Sequence, residues 1–378
     1  MTLWIAFMTA FVLSLIFTPV AIKIAPKIGA VDIPKDNRRM HTKPMPRFGG
    51  MAIFIGTTAA IAVTLGTNHE FQGILIGGIL IYLLGIVDDL KTLSAKVKLL
   101  GQIACASVVY GFGVRILFIT NHFGDGGHNY FGGLTGYIIT ILWIVGITNT
   151  VNLIDGLDGL ATGVSAIASL SIAYAAYIHG AYPATIAMLA VAGGAIGFLP
   201  FNFHPAKIFM GDGGSLFLGF MLASLSIVGP VKGATIMAVI IPVLVLGVPI
   251  FDTAFAILRR LVNHRPIMEP DKGHLHHRLM ASGMGQRRTV MTLYGISGVM
   301  GVAAVLFSRD LFVETAGLIG IAAMYIYIFL TDANNWKLRI KAVNVQQEEK
   351  RQDKLSKKQK SKKPYQKGRK QCQRSKKR

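Results

Sequence analysis

The sequence predicts an all-α fold, a polytopic bundle of transmembrane helices. Only 15% of its 378 residues are charged, whereas a soluble domain carries about 25%. Apolar runs of about 20 residues recur along most of the chain, and each could cross a hydrocarbon core of about 30 Å as a helix. A membrane β-barrel would instead show alternating segments of roughly ten residues.

The apolar runs predict about eleven spans by length and hydropathy. The first run is expected to be a retained span, because no basic residue precedes it and lysines follow it. In chain order, the predicted spans cover roughly 3–22, 48–66, 72–89, 99–119, 135–151, 160–178, 183–200, 213–230, 234–258, 290–308 and 313–331.

The loops between these spans differ in charge. Lys and Arg gather in 23–47, 89–98 and 259–278 and in the tail, whereas 67–71, 120–133 and 179–183 contain neither residue. Basic loops stay in the cytoplasm, so the N-terminus is predicted outside and the C-terminus inside. Residues 1–331 form the predicted membrane domain. The basic tail, 332–378, is expected to be disordered and to attract anionic lipid rather than nucleic acid.

Acidic residues concentrate at the predicted cytoplasmic helix ends. They are Asp88 and Asp89 in "GIVDDLK", Asp155 and Asp158 in "NLIDGLDGLATG", and Asp212 in "FMGDGGS". Each stretch alone could be an interfacial helix end, an Asp-Gly turn or a helix N-cap. The histidine-rich loop "GHLHHR" alone could be an exposed polar loop or an adventitious metal site.

Taken together, the acidic stretches and the basic residues near them predict a functional site that no single stretch would predict. Five aspartates that converge at one membrane face repel each other unless a cation lies among them, and an all-oxygen ligand set suits Mg²⁺ or Mn²⁺ better than zinc. The backbone N–H groups of "GDGGS" could bind an anion. Phosphate oxygens could be bound by a set of basic residues, Lys43, Lys96, Lys98 and Arg278. These features indicate phosphoryl transfer with a diphosphate substrate. A cation or sugar-nucleotide transporter is the alternative, although its ligands would lie near mid-bilayer.

Four stretches in the same order resemble the polyprenyl-phosphate N-acetylhexosamine-1-phosphate transferases. They are "DDLKTLSAKVKLLGQ", "TNTVNLIDGLDGLATG", "FNFHPAKIFMGDGGS" and "GHLHHR". The resemblance implies a bacterial plasma-membrane enzyme with a cytoplasmic active site. Such an enzyme transfers a sugar phosphate from a UDP-sugar to undecaprenyl phosphate and releases UMP. The resemblance is also compatible with a homodimer.

The histidine loop separates two branches of that family. "HLHHR" is similar to the branch that uses UDP-GlcNAc, whereas the phospho-MurNAc-pentapeptide transferases carry three adjacent histidines, and that activity is the alternative within the family. With its long basic tail, the chain most resembles the enzymes that start the linkage unit of wall teichoic acid.

The resemblance also implies roles for individual residues. Asp212 resembles the Mg²⁺ (or Mn²⁺) ligand, and Asp88, supported by Asp89, the group that deprotonates or orients the lipid phosphate. Asn152 and Asp155 resemble residues near the metal and the diphosphate. The positions that match the uridine site are Gly156, Leu157, Asp158, Asn202 and Phe209. The loop that engages the sugar phosphates matches His274, His276, His277 and Arg278. Lys96 and Lys98, in the short stretch "LKTLSAKVK" after the aspartate pair, are expected to bind substrate.

Overall fold

The structure is a computed structural model, and it describes residues 1–32, 44–116, 118–120, 128–228, 235–262, 275–281 and 283–328. In these ranges the chain is a helix bundle with two short pairs of antiparallel strands, which confirms the predicted all-α class. The basic tail, 332–378, lies outside the described residues.

The helices follow the predicted apolar runs closely. They are α1 Thr2–Ile24, α2 Gly50–Leu65, α3 His69–Lys91, α4 Ala95–Gly111, α5 Gly133–Ile154, α6 Leu160–Ile178, α7 Tyr182–Asn202, α8 Gly211–Val228, α9 Thr235–Val245, α10 Gly247–Val262, α11 Leu275–Ala281, α12 Gln286–Phe307 and α13 Phe312–Ile328.

Among the described residues, seven helices are long and apolar enough to cross a membrane: α1, α3, α5, α6, α7, α8 and α12. Helices α2 and α13 are apolar but shorter. The chain is therefore a polytopic membrane protein, while the number of spans and the orientation of its termini stay predictions.

Two predicted spans differ from the observed helices. The span 99–119 ends early: α4 stops at Gly111, Gly113 has a φ of 97°, and Phe118–Thr120 (β3) pairs antiparallel with His128–Tyr130 (β4). The span 234–258 is divided into α9 and α10. Pro249 lies in the first turn of α10, and since proline has no N–H group, the helical ladder of α9 cannot continue through it.

Helix α8 forms the centre of the bundle. Its residues are buried almost continuously from Gly211 to Ser226, and it packs mainly against α3 and α5. Helix α1 packs against α7 and α2 on one side of the bundle. A second antiparallel pair, Val31–Asp32 (β1) with Met45–Pro46 (β2), leads the chain from α1 to α2. The start of α8 thus lies beside the ends of several other helices.

Candidate active site

Polar residues that are distant in sequence meet at one end of the bundle. The ends of α3, α5 and α7 meet the starts of α2, α4 and α8 there. Glycines permit the close approach of backbones: a Cβ atom on Gly85 would lie 2.5 Å from Gly213 Cα, and one on Gly50 would collide with the backbone of Gly214. These contacts bring the start of α8 against α2 and α3.

Asp212 lies at the centre of this polar end. Its Oδ1 accepts a hydrogen bond from Asn152 Nδ2 at 2.7 Å and lies 3.5 Å from Lys98 Nζ. Its Oδ2 lies 3.0 Å from Arg47 Nη2. The structure therefore brings together Asp212, Asn152 and Lys98, all of which the sequence had indicated.

Lys98 connects Asp212 to Asp88. The ammonium of Lys98 lies 2.8 Å from Asp88 Oδ2 and donates to Asn152 Oδ1 at 3.2 Å. Asp88 Oδ1 also accepts the N–H of Leu93 at 2.7 Å. Lys96, two residues before Lys98 on α4, is exposed. The geometry thus favours Lys98 over Lys96 as the site lysine.

Asp89 holds the start of α8 rather than facing solvent. Its carboxylate accepts the backbone N–H groups of Asp212 and Gly213, at 2.8 and 2.9 Å, and only 3% of its side chain is exposed. The anion expected at the N–H groups of "GDGGS" is, in this arrangement, the carboxylate of Asp89. Asp89 therefore positions Asp212, and its carboxylate adds to the local negative charge.

Arg47 is a site residue that the sequence reasoning missed. It lies between β2 and α2, where its Nε pairs with Asp89 Oδ1 at 3.0 Å while Nη2 reaches Asp212. Burial lowers the pKa of Arg47, but the carboxylates of Asp212, Asp89, Asp155 and Asp88 raise it more strongly, so the net shift is upward. The guanidinium therefore stays charged. An arginine directly before the "FGG" at the start of a helix, at the predicted cytoplasmic end, was the available signal.

Asp155 completes the acidic group at the end of α5. Partial burial raises its pKa to about 7, the carboxylates of Asp212 and Asp89 add to this rise, and Arg47 opposes it. Four of the five predicted aspartates thus lie close enough to Arg47 to raise its pKa: Asp88, Asp89, Asp155 and Asp212. When all four are ionised they carry four negative charges against two positive charges from Arg47 and Lys98.

The residues predicted to hold uridine have several environments. Asp158 Oδ2 lies 2.8 Å from His204 Nδ1 and accepts the N–H of Ala206, and Gly156 beside it is exposed. Asn202 is buried, accepts from Thr162 Oγ1 and donates to the carbonyl of Ile208.

Leu157 is buried in the hydrophobic core. The backbone of Phe209 forms a parallel β-bridge with the backbone of Arg47. Asn202 and Leu157 therefore support the loop from inside, and their contact with uridine stays a prediction.

The histidine loop is described only in part. His274 and the side chains of His276 and His277 lie outside the described residues, whereas Arg278 is half-buried on α11. The N–H of Leu275 donates to Asp252 Oδ1 at 2.9 Å, so a carboxylate of α10 anchors the start of α11. Sequence reasoning missed Asp252, because its partner lies 23 residues away across a loop.

The donor set fits one Mg²⁺ or Mn²⁺ ion that shares its coordination with a substrate. In the described ranges, no three carboxylate, imidazole or thiol groups are close enough to enclose a metal ion by themselves. Mg²⁺ commonly uses one or two carboxylates and completes its shell with water and substrate phosphates. Asp212 is the carboxylate most suited to that role, since it is central and 19% of its side chain is exposed.

Residues 71–230, which contain most of this cluster, match the model of glycosyl transferase family 4. A probable undecaprenyl-phosphate N-acetylglucosaminyl 1-phosphate transferase of Bacillus subtilis is 46% identical over 302 residues, which cover 80% of this chain and 84% of that protein. The chain belongs to glycosyl transferase family 4.

Two further relatives of this glycosyl transferase differ in their named activity. A decaprenyl-phosphate N-acetylglucosaminephosphotransferase of Mycolicibacterium smegmatis is 36% identical, and the match covers 79% of this chain and 80% of that protein. A phospho-N-acetylmuramoyl-pentapeptide-transferase of Bacillus velezensis is 32% identical, and the match covers 78% of this chain and 94% of that protein. The two relatives named above for N-acetylglucosamine, at 46% and 36% identity, are thus more similar to this chain than this pentapeptide transferase is, which agrees with the branch that "HLHHR" indicated.

Proposed function

We propose that this enzyme transfers GlcNAc-1-phosphate from UDP-GlcNAc to undecaprenyl phosphate, releasing UMP and forming undecaprenyl-diphospho-GlcNAc. The observation that carries the proposal is the cluster of Asp88, Lys98, Asn152, Asp212 and Arg47 at the ends of membrane helices. The name and 46% identity of the Bacillus subtilis relative support the same substrates. The product would begin a cell-envelope polymer, for which the resemblance favours the wall teichoic acid linkage unit.

The reaction needs one displacement at phosphorus. An oxygen of the lipid phosphate forms a bond to the β-phosphorus of UDP-GlcNAc, the bond from that phosphorus to the bridging oxygen breaks, and UMP leaves with the electron pair. Lys98 and Arg47 supply positive charge for phosphate oxygens, and Asp88 lies where it could orient the lipid phosphate. Mg²⁺, when bound at Asp212, would neutralise charge on the diphosphate.

The position of the cluster also argues against the transporter alternative. A secondary transporter binds its substrate near the bilayer midplane, on interrupted helices. Here the carboxylates and their cations lie at helix ends, where a lipid headgroup and a soluble nucleotide can meet.

Purified enzyme in detergent, with Mg²⁺, undecaprenyl phosphate and a panel of radiolabelled UDP-sugars, tests the activity and the donor. We expect labelled lipid from UDP-GlcNAc and none from UDP-MurNAc-pentapeptide, with release of UMP in equal amount. Transfer from the pentapeptide donor alone would move the enzyme to the other branch. UMP release without labelled lipid would mean hydrolysis of the donor and would contradict the proposed acceptor.

The proposed site faces the cytoplasm, and cysteine labelling can test this. Lys91 lies at the site end of α3 and Tyr182 at the opposite end, at the start of α7, and both are exposed. In a background with Cys105→Ala and Cys372→Ser, a membrane-impermeant maleimide added to intact cells should label Tyr182→Cys and spare Lys91→Cys. Cell lysis should make both reactive. The reverse pattern in intact cells would place the site outside and remove access to cytoplasmic UDP-GlcNAc.

A further inference from the structure

Arg47 is fixed at both its backbone and its side chain. Its N–H donates to the carbonyl of Ala30 at 2.8 Å, and its backbone forms a parallel bridge with Phe209. Its guanidinium spans two carboxylates, with Nε 3.0 Å from Asp89 Oδ1 and Nη2 3.0 Å from Asp212 Oδ2. A planar guanidinium presents its donors in a rigid fork, which suits a bridge between two carboxylates.

The two carboxylates differ in their freedom. Asp89 is almost fully buried and is held by the N–H groups of Asp212 and Gly213. Asp212 has a more exposed carboxylate, and its hydrogen bonds to side chains come from Asn152 and Arg47. The contact of Arg47 with Asp89 is therefore a fixed attachment, and its contact with Asp212 is the one that can be exchanged.

A metal ion at Asp212 would favour that exchange. Donors occupy both carboxylate oxygens: Asn152 Nδ2 and the more distant Lys98 face Oδ1, and Arg47 Nη2 faces Oδ2. A divalent cation cannot share an oxygen lone pair with an N–H group that points at it. It can use the second lone pair of Oδ2 only beside the positive guanidinium, which lies 3.0 Å away and is repelled by the incoming charge, so displacement of Arg47 Nη2 is the favoured outcome.

We propose that Arg47 occupies the carboxylate of Asp212 in the cation-free enzyme and that the divalent cation displaces Arg47 Nη2 from it, while Asp89 retains Arg47 Nε. This exchange rests on the proposed function only in taking Asp212 as the metal ligand. The displaced end of the guanidinium is then available to bind a phosphate group of the substrate through its N–H groups. Arg47 thus competes with the metal ion for Asp212 and positions the sugar-nucleotide substrate.

The binding of Mn²⁺ without any substrate tests the exchange. Free Mn²⁺ would be measured by electron paramagnetic resonance during titration of the purified full-length enzyme. Arg47→Gln should bind Mn²⁺ more tightly than the wild type, on the order of tenfold, because a charged hydrogen bond to Asp212 no longer has to be broken. Asp212→Asn should abolish this binding, which ties the signal to Asp212.

Two further variants distinguish the loss of the Arg47–Asp212 contact from the loss of one positive charge. Arg309→Gln removes an equal charge at the far end of the bundle, where Arg309 bonds Tyr174, and should leave the Mn²⁺ affinity unchanged. Arg47→Lys keeps the charge but offers one nitrogen in place of the paired Nε and Nη2, so its contact with Asp212 should weaken and its Mn²⁺ affinity should exceed that of the wild type. Wild-type affinity in Arg47→Lys beside a rise in Arg47→Gln would show a long-range charge effect and overturn the exchange. Unchanged or weaker binding in Arg47→Gln would overturn it as well.

This experiment can fail independently of the proposed function. Mn²⁺ titration requires neither UDP-GlcNAc nor undecaprenyl phosphate. If the Mn²⁺ results hold while no transfer is detected, the exchange stands and the proposed reaction falls. If transfer is detected while the Mn²⁺ affinities are equal, the reaction stands and the exchange falls.

Discussion

Asp212→Asn should reduce the transfer rate by at least about a thousandfold, while the protein still inserts and folds. The carboxylate of Asp212 lies among Arg47, Lys98 and Asn152, and an amide in its place cannot provide the negative charge that Mg²⁺ needs. A bound metal ion contributes several kcal/mol of charge stabilisation to phosphoryl transfer, and each 1.36 kcal/mol corresponds to about a tenfold change in rate.

Initial rates of labelled lipid formation, measured from UDP-GlcNAc at several Mg²⁺ concentrations, would test this expectation. Asp310→Asn is the matched control, because Asp310 follows α12 at the opposite end and has a φ of 61°, a conformation that asparagine tolerates well. Removal of divalent cations with EDTA should stop the wild-type reaction, and Mg²⁺ or Mn²⁺ should restore it. An Asp212→Asn enzyme with near-normal turnover would remove Asp212 from the metal site.

Lys98→Met should have the second largest effect, a fall in kcat/KM of about a hundredfold or more. Lys98 is the cation between Asp88, Asp212 and Asn152, and both its side chain and that of Asp88 are largely buried. Methionine preserves the length of the side chain but leaves the carboxylate of Asp88 without its cation. Loss of one partner of a buried ion pair typically costs about 3–5 kcal/mol, so the thermal unfolding midpoint should fall as well.

The control for Lys98 is its neighbour on the same helix. Lys96→Met makes the same chemical change at an exposed position two residues away, and it should leave both kcat/KM and thermal stability close to wild type. Lys98→Arg keeps a positive charge and should recover part of the stability but not the full rate, because the guanidinium has a different shape. Equal losses in Lys96→Met and Lys98→Met would contradict the site described above.

The sequence predicts the helices well and the site in part, for a physical reason. Long apolar runs determine where a chain crosses lipid, and each of the predicted spans overlaps an observed helix. The end of α4 was misjudged because residues 112–119 are mostly apolar, and hydropathy alone does not separate a short strand from a helix. The split between α9 and α10 could have been predicted from Pro242 and Pro249, which lie inside one apolar run.

The same contrast holds within the active site. Asp88, Asn152, Asp155 and Asp212 could be predicted because polar residues at membrane helix ends are conspicuous. Arg47 and Asp252 were missed because their roles depend on partners elsewhere in the chain: Arg47 pairs with a carboxylate 165 residues away, and Asp252 binds the backbone of another helix. The predicted counter-charge among the aspartates was a metal ion, whereas Arg47 and Lys98 are already there. The ion remains a proposal.

Asp89 on α3 caps the first N–H groups of α8, and this contact has a mechanical consequence. Two N–H groups of α8 bond a carboxylate of α3, and Gly85 lies directly against Gly213, so sliding or tilting between these helices would break both contacts at once. These contacts therefore couple the end of α3 to the start of α8. At the other side of the site, α10 and α11 both line a small apolar cavity, and the N–H of Leu275 on α11 donates to Asp252 on α10. Asp212, the proposed metal ligand, thus takes its position from α3 as well as from α8, so a substitution that shifts the end of α3 should shift this carboxylate with it.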